Sequence, residues 1–192
     1  MKNWLRIAGL LLVSVAIAAA AASAVVAMNL RTYARLVYEQ PVLFVEFQAN
    51  GPQRYTATVT RVQTNASQTF ELAGDEWQVD ARVLRWHGFA NVLGLDAYYR
   101  LERVSGRYHD VEQERSGPHS VYSLYQKPFF DLYGFAQAHP RWIPFLAGFY
   151  GSATYEPMAP GARYEVRLTQ NGLISKPDND VAREAARAWR FD

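Results

Sequence analysis

The chain has no cysteine among its 192 residues. It has nothing to pair or to misoxidise, so a disulfide framework and a cysteine-ligated zinc site are both excluded. The absence suits an oxidising compartment without requiring one. Net charge is also small: the formal +2 comes from Lys2 and Arg6, and beyond residue 30 there are 18 basic and 18 acidic side chains. A nucleic-acid binder carries a basic surplus, so that class is set aside. Phosphate-cradling glycine loops of the GxGxxG or GxxxxGK[ST] kind are missing, as are HExxH and GxSxG. The four histidines, His87, His109, His119 and His139, do not fall at zinc spacing. His109 and Asp110 with Glu112 form a polar stretch that reads as solvated rather than ligating. No metal and no cofactor is expected, and no residue set points to a reaction. There is no internal repeat.

What is present begins with Ile7 to Leu30, a run with neither charge nor proline. Wound as a helix at about 1.5 Å per residue it reaches roughly 36 Å, more than the ~30 Å hydrocarbon core of a bilayer. Its apolar anchors are Ile7, Leu10, Leu11, Leu12, Val13, Val15, Ile17, Val25 and Val26. With Met28 and Leu30 they are worth about 5 kcal/mol of insertion free energy. The expected reading is a single-pass transmembrane helix in a bacterial inner membrane, with the remainder on the periplasmic side. The alternative is a cleaved signal peptide, cut at Ala22-Ser23-Ala24 or Val25-Val26-Ala27, and a soluble periplasmic product; a signal core is usually shorter, about 7–15 residues. Orientation rests on Lys2 and Arg6 against Arg31 and Arg35, a slight preference for the N-terminus inside.

The chain divides into a basic flank (1–6), the transmembrane helix (7–30), a juxtamembrane helix or linker (31–41) and a single α+β domain (42–192). Leu30, Tyr33, Ala34, Val37 and Tyr38 keep helical spacing up to Pro41, which ends that helix. Strands are then expected at 42–49, 54–62, 68–72 and 76–86. In the last, Trp77, Val79, Ala81 and Val83 take one face, while Gln78, Asp80, Arg82, Leu84 and Trp86 take the other, with a bulge near Val83-Leu84. Residues 89–95 read as loop or a helical turn. A strand follows at 97–104, broken by Ser105-Gly106, and another at 119–125. The period then changes to helical over 129–138, and Pro140 and Pro144 cut the sequel into short helical pieces. Strands are expected again at 152–155 and 162–169, with Asn171-Gly172 as a turn. A terminal helix is expected at 178–190, capped by Asp178 and striped by Val181, Ala185 and Trp189. Short connections favour antiparallel pairing, in a sheet or a partly closed barrel.

Two side-chain groups stand out. Asp80, Arg82, Arg85, Arg100, Glu102 and Arg103 lie on two neighbouring strands. They make either a ligand-binding or docking patch or cross-strand ion pairs worth about 0.2–1 kcal/mol each. The aromatic residues Phe129, Phe130, Tyr133, Phe135, Trp142, Phe145, Phe149 and Tyr150 make either core or a surface turned to a membrane or partner. The candidate site residues are Trp77, Asp80, Arg82, Trp86, Arg100 and Glu102, with Trp77, Trp86 and one of the arginines at the mouth of a pocket inside the curved sheet.

Residues 74–88 (GDEWQVDARVLRWHG), then Asn91-Val92-Leu93-Gly94-Leu95-Asp96, 99–108 (YRLERVSGRY), 150–155 (YGSATY) and Pro157-Met158-Ala159 resemble a family of small, membrane-anchored proteobacterial proteins. The likeness covers roughly residues 42–175. Members often bear the label of cation or multidrug efflux pump or multidrug transporter. The resemblance implies an envelope location and carries over no activity and no catalytic residue. One hydrophobic helix cannot enclose a polar path through a bilayer, so the chain at most assists a pump. The expected function is therefore a non-catalytic, membrane-anchored accessory or interaction domain with a membrane or envelope protein as partner. The alternatives are a small-molecule or lipid-binding β domain, or an enzyme whose site is assembled at a distance.

Overall fold

The computed structural model describes residues 2–36, 39–87, 97–126, 131–143, 146–169 and 171–190. The first helix, α1 (Lys2–Leu36), is continuous through the apolar run and beyond it. Within it, Gly9–Ala27 is long and apolar enough to cross a membrane, and none of that stretch is buried inside the protein. Length and composition of this kind suit a span and a signal sequence alike. Ile7 and the side chains of the expected juxtamembrane stripe lie outside the described side chains.

Among the described residues nine strands follow, all paired antiparallel. Strands β1 (Gln40–Gly51), β2 (Arg54–Arg61), β3 (Ser67–Ala73), β8 (Arg163–Thr169) and β9 (Gly172–Pro177) form one sheet, in the order β3-β2-β1-β8-β9. Strands β4 (Glu76–Trp86), β5 (Tyr98–Arg107), β6 (Val121–Ser123) and β7 (Leu146–Pro157) form the other, in the order β6-β5-β4-β7. Pro41 sits inside β1 rather than stopping a helix, at a register shift between Pro41 and Leu43 where the ladder tolerates a missing donor.

The sheets lie face to face and do not close into a barrel, which corrects one of the two expected forms. Their shared core holds Val45, Phe47 and Val59 from one side and Trp77, Val79 and Val83 from the other. At its centre Trp77 meets Phe47 at 5.7 Å and Tyr164 at 5.5 Å between ring centroids. The alternation in β4 predicts this inward row correctly. Leu84, on the outward row, is also fully buried, because helix α3 (Leu132–Ala138) lays Tyr133 and Ala136 over it in a second small core.

Several boundaries differ from expectation. The bulges of β4 fall at Asp80/Ala81 and Arg85/Trp86, not at Val83-Leu84. β5 runs on through Ser105-Gly106 to Arg107. From Leu146 onward the chain is strand and not helix: β7 begins there and merges with the expected short strand, while Pro140–Trp142 forms a 3-10 turn. The polar stretch after β5 contains a short helix, α2 (Val111–Ser116), capped by Asp110. Gly172 opens β9 instead of only turning the chain. The terminal helix, α4 (Asp180–Trp189), is capped by Asn179, and its buried residues are Ala182 and Ala186, one position from the expected stripe. The expected loop at 89–95 lies outside the described residues, as do Phe129, Phe130 and Phe145.

One open side of the sandwich is closed by side chains. The Leu173 backbone N–H donates to Ser152 Oγ at 2.8 Å, Thr154 donates to Ser175 Oγ at 3.0 Å, and Ser175 donates to Glu156 Oε1 at 2.9 Å. Glu156 is only 8% exposed, and its Oε2 has no hydrogen-bond partner. Burial pushes its carboxyl above the ordinary 4.5; the Ser175 hydrogen bond and the Arg190 charge oppose that rise, and the Glu76 charge adds to it. A carboxyl raised in the folded state holds its proton where the unfolded chain has released it. It therefore subtracts stability as pH climbs from the unfolded value through the folded one. Glu156→Gln should melt together with the parent at about pH 4. Above neutrality it should melt higher by roughly 2–4 °C, the shift that ~1 kcal/mol brings at this chain length. Thermal melts followed by circular dichroism at both pH values check this; a lower melting point above neutrality would show that the charge is favourable.

Candidate functional site

The outward face of the four-stranded sheet carries most of the expected site. β4 supplies Asp80 and Arg82 by simple alternation. β5 brings Arg103 opposite Asp80 and Arg100 opposite Arg82. Two arginines facing each other across a ladder repel. Here Glu102 separates them, with its Oε1 2.8 Å from Arg100 Nε and 3.4 Å from Arg82 Nε. Asp131 adds a second carboxylate 3.2 Å from Arg100 Nη1 while also accepting from the Gly134 N–H at the start of α3. The Tyr133 ring lies under both guanidinium groups, 4.9 Å from Arg100 and 5.7 Å from Arg82, and Tyr125 stacks on Arg100 at 4.9 Å. Asp80 pairs with Arg103 and accepts from Gln78 Nε2 at 2.7 Å. Burial pulls the Arg100 guanidinium down, but the hydrogen bond and charge of Glu102, followed by Asp131, outweigh it and hold it up.

Beside this ladder β7 presents almost no side chain. Gly151 and Ala153 are exposed, and a Cβ built on Gly151 meets nothing within 4 Å. A trough of about 450 Å³ results, with Asp80, Arg82, Glu102 and Arg103 along one flank and Gly151 and Ala153 along the other. Helix α3 covers the sheet at one end. At the other end Tyr155 meets Trp189 of α4 edge-on at 5.7 Å, with Arg107 4.7 Å above the Tyr155 ring. Arg82 and Arg103 remain half-exposed, at 47% and 57%.

The structure brings Asp80, Arg82, Arg100 and Glu102 together and leaves the two tryptophans elsewhere. Trp77 points the other way, fully buried between the sheets, and fills the core instead of standing at a pocket mouth. Trp86 is half-buried against the small core under α3. Asp131, Tyr133 and Tyr125 join the ladder from segments that follow the end of β5 at Arg107 by many residues of intervening chain. Of these, the sequence pattern marks only Tyr133, as part of the aromatic group. Asp131 falls inside the helix expected at 129–138, whereas in the structure it caps a helix that begins at Leu132.

Chemically, three guanidinium groups and three carboxylates hold one another at fixed positions on an open face. That arrangement suits recognition of a polar surface with charges of both signs better than capture of a free anion. Among the described residues no group of three or more His, Asp or Glu is arranged to hold a metal. No family model matches the chain, and neither does any curated protein or solved structure.

Proposed function

We propose that the protein is a non-catalytic interaction domain tethered by α1 to a bacterial inner membrane. The β domain then stands on the periplasmic side and assists an envelope or efflux assembly by docking a membrane protein at the trough. The observation that carries this reading is α1 itself. Its Gly9–Ala27 stretch has no cover inside the protein, and only residues 37–39 separate the helix from the first strand of the sandwich. A lone helix satisfies its own backbone in lipid but cannot line a conduit, so the folded part acts by touching something else. The trough is the fitting surface because its charged groups are ordered by mutual contacts yet open to solvent.

A photocrosslinking residue in place of Ala153, in cells, tests the proposal. One reproducible membrane-protein adduct is expected, reduced at least about tenfold by Arg103→Glu, since reversing a charge at a docked polar surface costs more than ~1.4 kcal/mol. Recovery of the uncoupled chain alone would overturn it. A small molecule retained on the purified chain, with no protein adduct, would assign the trough to ligand binding, for which its volume is sufficient.

A further inference from the structure

The strand registers place both sheets with one common end toward α1. β1 begins at Gln40, beside Arg61 at the end of β2, and a cavity of about 300 Å³ joins these residues to Tyr98 and Arg100 at the start of β5. β4 ends there at Trp86, paired with Leu146 at the start of β7. Residues 139–143, tied to the start of β7, therefore lie at the same pole. Leu146 N–H donates to Ile143 C=O at 3.1 Å, and Trp142 N–H to His139 C=O at 3.0 Å.

Trp142 is 79% exposed at this pole, whereas Trp77 is buried and Trp86 and Trp189 are half-buried. Its ring continues a short stack, with Phe135 to His139 at 5.0 Å and His139 to Trp142 at 6.4 Å. Its chain neighbour Arg141 is exposed, as is His139, and Arg85 and His87 are exposed at the end of β4 on the same pole. Among the described residues, Glu39 at the entry to β1 is engaged by Lys176 and Arg167, and Asp131 by Arg100. A bare indole with exposed cationic side chains at the same pole is the composition that lipid headgroups select.

Chain length brings the two together. Leu36 to Gln40 spans at most about 14 Å. The nine helical residues after Ala27 rise about 14 Å, where the headgroup zone is roughly 5–7 Å deep. The pole is therefore held within reach of the bilayer surface and cannot stand far from it.

We infer that the α1-proximal pole of the β domain rests on the phospholipid surface, with Trp142 seated among the headgroups and Arg85 and Arg141 facing anionic lipid. This stands the sandwich end-on upon the membrane and turns the opposite pole, with α2 and the turn at Gly74, to solvent. It rests on the membrane-anchor reading, and the test separates the two.

With no native cysteine, single spin labels can be placed at Ala138→Cys beside the stack, Glu112→Cys on the far pole and Ile17→Cys in α1. Each full chain is reconstituted into vesicles of phosphatidylethanolamine and phosphatidylglycerol. Collision with a water-soluble nickel complex should be at least about threefold lower at 138 than at 112, as for a surface segment seated in headgroups. Adding Trp142→Ala should restore much of it, and replacing phosphatidylglycerol by phosphatidylcholine should weaken the protection. If 17 is shielded while 138 is as open as 112, the lipid seat is overturned, the anchor stands, and the stack is left for a protein partner. If 17 is itself open to nickel, the anchor reading falls and this inference falls with it.

Discussion

Trp77→Ala is expected to cost about 3–5 kcal/mol, a large part of the 5–15 kcal/mol that holds an ordinary domain together. The indole is fully buried where aromatic rings from β1, β4 and β8 meet. Removing it leaves Phe47 and Tyr164, themselves 6.2 Å apart, facing a void that rigid strands on both sides cannot collapse into. The result should be a domain that unfolds in markedly less urea and is cleaved quickly by protease. Trp77→Phe separates packing from polarity. The indole N–H has no hydrogen-bond partner, so phenylalanine sheds an unsatisfied donor while keeping the ring contacts. Its cost should be smaller, about 1–1.5 kcal/mol. Equal losses for the two variants, read from urea midpoints, would mean that the shape of the indole rather than the bulk of a ring holds the sheets.

The second large effect is expected at Gly106→Ala. A Cβ there would lie 2.1 Å from the Ala73 carbonyl oxygen and 3.0 Å from Ser120 Oγ. The obstacle is backbone, and it cannot rotate away. Ala73 N–H donates to Ser120 Oγ at 2.8 Å, and Gly106 N–H to Ser120 C=O at 3.1 Å, so the end of β3, β5 and the chain before β6 are clasped at this point. A methyl group must push the edge of one sheet from the edge of the other and break that clasp, at a cost of about 3 kcal/mol or more. Gly151→Ala is the control. It also lies in an extended strand, it meets open space, and it should change stability by no more than about 0.5 kcal/mol. If the two glycine variants melt alike, the close approach of β3 to β5 is not as described.

These glycines show where reading the chain reached its limit. Ser105-Gly106 looks like a strand break because glycine weakens strands on average. In the fold it is the residue that lets a second sheet edge come within contact distance. The same cause explains Leu84. Its alternation puts it on the polar row, and only the arrival of α3 from about 50 residues further on makes that position buried. Glu156 is the reverse case, a carboxylate on a half-polar strand that ends up enclosed because β9 and α4 close over it. The charged ladder was half visible. Asp80, Arg82, Arg100 and Glu102 could be placed on one face by counting in twos, whereas Asp131 and Tyr133, which quiet the repulsion between Arg82 and Arg100, come from a different part of the chain.

From the residues alone followed the apolar helix of membrane length, most of the strands, the inward row of β4 and the antiparallel class. Each of these depends on neighbours within a few positions, through helix rise, pleat alternation or turn chemistry. The tertiary structure decided that nine strands divide into two facing sheets rather than one closed barrel, that Trp77 fills the core instead of lining a pocket, and that an exposed trough forms between α3 and α4. Those outcomes depend on which surfaces meet across long stretches of chain. No local pattern encodes that, because the same alternating strand can be buried by any partner that reaches it.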